Sequence, residues 1–94
     1  MSAKECLARF RLGHIVSTPN ALSQLSREDI LHGIHRYQAG DWGDVDADDR
    51  TANERALVEG TRLLSVYCSA AGVKFWIITE ADRSVTTVLL PEDY

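Results

Sequence analysis

Three groups of side chains in this sequence have types and spacings that could support chemistry. His32 and His35 lie three residues apart in a stretch of helical periodicity, close enough to share a metal ion, with His14 as a third donor. No cysteine or carboxylate motif accompanies them, so polar or half-buried helix histidines is the better reading. Asp44, Asp46 and Asp48 have the alternate spacing with which an EF-hand loop opens. The match then fails, because the position that needs glycine holds Asp49 and the one that needs a bidentate glutamate holds Arg55. Ser84, in the turn Asp82-Arg83-Ser84, has no visible base or orienting partner. No GxSxG, Walker, HExxH or CxxC pattern occurs, so neither catalysis nor a resident metal or cofactor is expected.

The strongest signal is charge. Gly40–Asp49, GDWGDVDADD, holds five aspartates and no lysine or arginine, with Trp42 between two of its glycines. From Gly40 to Gly60 the acids are Asp41, Asp44, Asp46, Asp48, Asp49, Glu54 and Glu59 against Arg50 and Arg55, a net of −5 in a chain whose total is −4. Two of these aspartates have an ordinary explanation in helix capping and the first-turn dipole. Five together repel one another and cost stability unless something else is gained. A ridge of fixed carboxylates resembles the phosphate backbone of duplex DNA, where charges recur every ~1.7 Å of axis. Such a ridge would dock on a basic groove built for DNA. Trp42, unusual in a solvated loop, would pin the loop to the body and anchor or contact the partner.

The elements that must carry these residues follow from the totals and the periodicity. The 94 residues are read as a single domain, 1–94, with one modest core. The apolar runs are far too short for a membrane helix, and MSAKECLARFRL has no apolar leader core, which reads as an intracellular chain with no membrane partner. Cys6 and Cys68 match no metal or redox spacing and are expected to be free, Cys68 as a small buried hydrophobe. A net charge of −4 argues against direct nucleic-acid binding.

Arg9–Ser17 reads as extended, with Gly13 a bulge. Thr18 and Pro19 start a short helix with Leu22 and Leu25 on one side. Ser26 and Asp29 form a capping box for a helix over Arg27–Ala39 that buries Ile30, Ile34 and Tyr37, with Leu31 beside them, and stops at Gly40. Asp46 caps a third helix from Ala47 to Glu59, with Ala52, Ala56 and Leu57 facing the core and Gly60 ending it. Arg62–Ser69, Val73–Glu80 and Val85–Leu90 form a three-stranded antiparallel meander. Alternation groups Leu64, Val66 and Cys68 with Trp76, Ile78, Val88 and Leu90 on one face, and Tyr67, Phe75, Ile77 and Leu89 on the other. A fourth strand from residues 10–16 can join. The fold class is α+β, a two-layer arrangement of this meander on two or three helices.

The blocks GHIVSTPNAL, GDWGDVDADD, RLLSVY and WIITEADRSVTTVLLPEDY resemble a family of small proteins carried on plasmids and other mobile genetic elements. The resemblance runs from about Leu12 to Tyr94 and extends to anti-CRISPR proteins directed against type I systems. It implies an anti-defence inhibitor that acts on a type I CRISPR system. Joined to the charge argument and the missing catalytic motifs, the reading is a non-enzymatic protein of the bacterial cytoplasm, a monomer rather than an oligomer, whose acidic surface blocks the DNA-binding groove of the type I Cascade complex. Asp41, Trp42, Asp44, Asp46, Asp48, Asp49, Glu54 and Glu59 would contact the partner. It carries no catalytic residues over to this chain. The alternative is a regulatory or antitoxin-like module of the element that binds another protein through an open sheet edge, with Tyr67 and Phe75 on the surface used.

Overall fold

The computed structural model describes residues 8–94. Strand β1 (His14–Ser17) is followed by helices α1 (Pro19–Gln24), α2 (Arg27–Gln38) and α3 (Ala47–Glu59). Strands β2 (Leu63–Cys68), β3 (Lys74–Thr79) and β4 (Val85–Leu89) come next, and a 3-10 turn, Pro91–Asp93, closes the chain. The fold is α+β. The strand order is β1-β4-β3-β2, with β2-β3-β4 an antiparallel meander and β1 added parallel to β4, so the sheet is mixed. The extended reading of Arg9–Ser17 shortens to four paired residues, and Gly13 (φ 66°) is where the chain turns in so close that a Cβ would overlap the Ser84 carbonyl.

The helix ends follow the local chemistry of their caps. The Thr18 hydroxyl accepts from the Ala21 N–H at the start of α1, and Ser26 and Asp29 complete their capping box on α2. Asp46 accepts from the Asp49 N–H at 2.8 Å, and Gly60 ends α3 in the left-handed conformation that an L side chain resists. Arg83 covers the end of α3, its guanidinium reaching the Ala56 carbonyl in the last turn at 3.1 Å and the Thr61 carbonyl just beyond the helix at 2.7 Å.

The helices lie over the sheet face made by Leu63, Ser65, Tyr67, Phe75, Ile77, Thr79, Thr86 and Val88, all of them buried. Gly33 lets α2 approach so closely that a Cβ would press on the Phe75 ring, and Phe10, Tyr37 and Trp42 form a three-ring cluster at the end of that helix. A buried chain of hydroxyls ties the layers together. Tyr37 donates to Thr79 at 2.7 Å, Thr79 and Thr86 are 2.8 Å apart, and Thr86 donates to the Leu12 carbonyl at 2.7 Å. Since Thr86 spends its proton on Leu12, the Thr79 hydroxyl must donate to Thr86, and every proton in the chain has an acceptor.

Several expectations are corrected. Val88 lies on the helix-facing side with Tyr67, Phe75 and Ile77, while Leu89 joins Trp76 and Ile78 on the opposite face. In α3 the buried positions are Asn53 and Ala56, and Ala52 is exposed. Ala21 in α1 and Leu25 at its C-cap are the core residues there, whereas Leu22 is exposed, as is Leu31 in α2. Cys68 is exposed at the end of β2 instead of buried, and Cys6 lies outside the described residues. Tyr67 and Phe75 are covered by helix and loop, so they form no aromatic surface. No described helix is long and apolar enough to cross a membrane.

Candidate functional site: the acidic loop and the start of α3

The loop from Gly40 to Asp46 is built onto the outer edge of β2. Leu64 and Val66 direct their main-chain groups away from β3, and each is met. The Asn53 side-chain amide donates to the Leu64 carbonyl at 2.8 Å and accepts from the Leu64 N–H at 3.1 Å. The Asp44 N–H donates to the Val66 carbonyl at 2.7 Å, the Val66 N–H reaches the Trp42 carbonyl at 3.4 Å, and Gly43 forms a parallel bridge to Val66. The acidic loop thus acts as a short surrogate strand that closes one edge of the sheet. Gly43 is required there: at φ 74° a Cβ would overlap the Val66 carbonyl and the Tyr67 ring.

Trp42 fixes the loop from inside. Only 3% exposed, its ring packs against Phe10 and Tyr37 while its indole N–H donates to Glu54 Oε2 at 2.9 Å. The same carboxylate receives both terminal nitrogens of Arg9, at 2.7 and 2.9 Å. Arg9 first and Trp42 second hold the Glu54 carboxyl down to about 2. The expectation that Trp42 pins the loop agrees with this burial, but its ring is too deep to touch a partner.

Asp41 is exposed but also paired within the chain. Its carboxylate takes the Arg36 guanidinium in a two-pronged pair at 2.8 and 3.2 Å and accepts the Gly43 N–H at 3.1 Å, and Arg36 chiefly holds its carboxyl below the usual range. Arg36 in turn lies over the Tyr67 ring, whose hydroxyl donates to the Asp41 carbonyl at 2.6 Å. Asp41 and Glu54 are therefore engaged within the chain, although sequence reasoning places them on the ridge. Their partners, Arg36 and Arg9, carry no signal in the local sequence that would have named them.

Four exposed carboxylates make no ion pair among the described residues: Asp44 in the loop, Asp46 at the cap, and Asp48 and Asp49 in the first turn of α3. Asp46 spends one oxygen on the cap. Glu59 is exposed at the far end of the same helix, apart from them. The arrangement offers an acidic ridge on a backbone held by the edge of β2 and by the start of α3.

The histidines do not gather. His32 lines a cleft of about 290 Å³ between α2 and the β2–β3 turn, with Asp29, Arg36 and Cys68 among its walls, whereas His35 and His14 are not part of it. Among the described residues no three histidine, cysteine or acidic side chains are placed to hold a metal ion. No protein-family model, curated protein or solved structure matches this chain.

Proposed function

We propose that this chain is a non-enzymatic binding protein that presents Asp44, Asp46, Asp48 and Asp49 to a basic protein surface. The observation that carries this reading is the double fixation of the loop, by Trp42 from within and by the edge of β2 from beside it. Fixed carboxylates lose little freedom on binding, and their mutual repulsion is relieved by a partner of opposite charge. Asp41 and Glu54 serve the fixation and Glu59 contributes only at longer range.

Taken with the resemblance to anti-CRISPR proteins, the partner is a DNA-binding groove of a defence complex, most concretely a subunit of type I Cascade, in the bacterial cytoplasm. The ridge then occupies the place of a phosphate run. The test is a plasmid-protection assay in cells with an active type I system, comparing the protein with its Asp44, Asp46, Asp48 triple-asparagine variant. Protection lost in the variant and, with purified complex, binding that weakens with salt are the expected outcomes. Undiminished protection by the variant sinks the acidic mechanism.

One observation favours the alternative of a regulatory or antitoxin-like interaction module: the outer edge of β1, unlike that of β2, carries no covering loop among the described residues. In that reading charge-loss variants act normally and changes on β1 do not.

A further inference from the structure

The two edges of the sheet are treated differently. At β2 each outward main-chain group of Leu64 and Val66 is satisfied by the chain itself. At β1 the N–H groups of His14 and Thr18 donate to the Ser84 and Val88 carbonyls of the neighbouring strand side. The two-residue alternation of a strand then points the N–H and C=O groups of Ile15 and Ser17 away from the sheet. No described side chain or main-chain group bonds them. The strand has no charge, proline or bulge within it to deter pairing, and Ile15 and Val16 are 49% and 47% exposed.

We infer that this edge is the interface with a second copy of the chain, two β1 strands pairing antiparallel about a two-fold axis at Val16 to make one continuous eight-stranded sheet. The edge is self-complementary in one register. Placing Ile15 opposite Ser17 of the second copy lets both outward residues exchange their main-chain bonds, four in all, with Val16 facing Val16 between them in a non-hydrogen-bonded pair. A register centred on Ile15 would instead need Gly13, whose backbone is turned into the Ser84 carbonyl.

The side chains agree with the main chain. Ile15 and Ser17 lie on the helix-facing side, where Ser17 borders a groove of about 430 Å³ formed with Leu22, Leu25, Ile30 and Leu31, with Arg27 its one charged wall. Leu22 and Leu31 are 62% and 55% exposed. With Ile15 and Val16 they show on the order of 400 Å² of apolar surface per protomer, about half of what a standard interface buries on each side, before the strand backbone is added.

Charge permits this pairing as well. The acidic loop lies on β2, at the opposite edge, so the two loops stand beyond the ends of the doubled sheet. Seven strand spacings separate the outer strands, about 34 Å at ~4.8 Å each. That is several screening lengths of ~8 Å, and the like-charged ridges do not oppose association.

The experiment is sedimentation of the whole chain combined with cysteine cross-linking in a Cys6→Ser, Cys68→Ser background. The wild type is expected to sediment as a dimer at ~100 µM, and Val16→Glu, which sets two carboxylates at the axis, as a folded monomer by circular dichroism. Val16→Cys should form a covalent dimer under mild oxidation at least ~10-fold faster than Ile15→Cys, because only the Val16 pair falls within disulfide reach. A wild type that stays monomeric at ~1 mM overturns the inference and leaves the edge to a strand from another protein. A dimer that cross-links no faster through Val16 than through Ile15 overturns it too.

Discussion

The indole N–H of Trp42 and the carboxylate of Glu54 meet at 2.9 Å, twelve residues apart, and Arg9 closes the same carboxylate from outside at 2.7 Å. A buried aromatic ring and an exposed ion pair thus share one acceptor. That is how an acidic loop with no apolar residues beyond Trp42 and Val45 is held on the body.

Glu54→Gln should lower stability at neutral pH by about 1 kcal/mol, since the ion pair is half-exposed and solvent-screened and only the indole bond is sheltered. The pH dependence has a definite sign. The folded carboxyl sits at about 2, below its ordinary 4.5, so its contribution is complete above 4.5 and is lost as pH falls from there toward 2. Urea midpoints of wild type and variant should differ at pH 7 and converge by pH 2. A gap that stays constant across that window would assign the effect to packing.

The hydroxyl chain predicts unequal costs for its members. Tyr37→Phe removes the terminal donor and leaves Thr79 able to donate, so about 1 kcal/mol is expected. Thr86→Val strips the Leu12 carbonyl of its donor and Thr79 of its acceptor in a buried site, for about 2–3 kcal/mol. Denaturant unfolding of both single variants and the double variant should show costs that do not add, because the partners belong to one network.

Asn53→Ala should cost about 2 kcal/mol and expose the Leu64 amide to solvent. Asn53→Asp keeps the acceptor for the Leu64 N–H but sets a carboxylate against its carbonyl. It should not rescue stability. Hydrogen exchange at Leu64 is the direct measurement, and unchanged protection in the alanine variant would refute the role of Asn53 as an edge cap.

The residues that misled sequence reasoning are those whose burial depends on distant partners. Thr79 and Thr86 are fully buried because each hydroxyl finds the other and Leu12. Read locally they are polar, so the alternation of VTTVLL settles on the wrong phase and groups Val88 with Trp76 and Ile78. Asn53 is buried because it completes a strand eleven residues away, and the neighbouring Ala52 looks like the core position. The caps were legible, because Thr18, Ser26 and Asp46 act on residues three positions ahead. The α+β order was legible from the change of period. Of the acidic site, its place on the start of α3 could be read, but the pairing of Asp41 and Glu54 could not, since Arg9 lies 45 residues from Glu54 and Arg36 reaches Asp41 across the helix stop at Gly40.

Gly43→Ala should damage fold and ridge together. Its φ of 74° and the approach of the Val66 carbonyl leave no room for a Cβ, so the loop must leave the β2 edge. A loss of about 2 kcal/mol or more is expected in denaturant unfolding. A stability within about 0.5 kcal/mol of wild type would mean the loop is not docked on β2.

Asp46 separates charge from structure most cleanly. Its carboxylate accepts the Asp49 N–H, a task that asparagine performs nearly as well and alanine not at all. Asp46→Asn should be within a few tenths of a kcal/mol of wild type, and Asp46→Ala should lose about 1 kcal/mol. The same holds for the triple-asparagine variant of Asp44, Asp46 and Asp48, since Asp44 makes only a main-chain bond and Asp48 faces solvent. Loss of partner binding by that variant, with a thermal midpoint close to wild type, would therefore report on charge. If the midpoint falls as far as that of Asp46→Ala, asparagine is failing to cap α3, and a binding loss could no longer be assigned to the missing carboxylates.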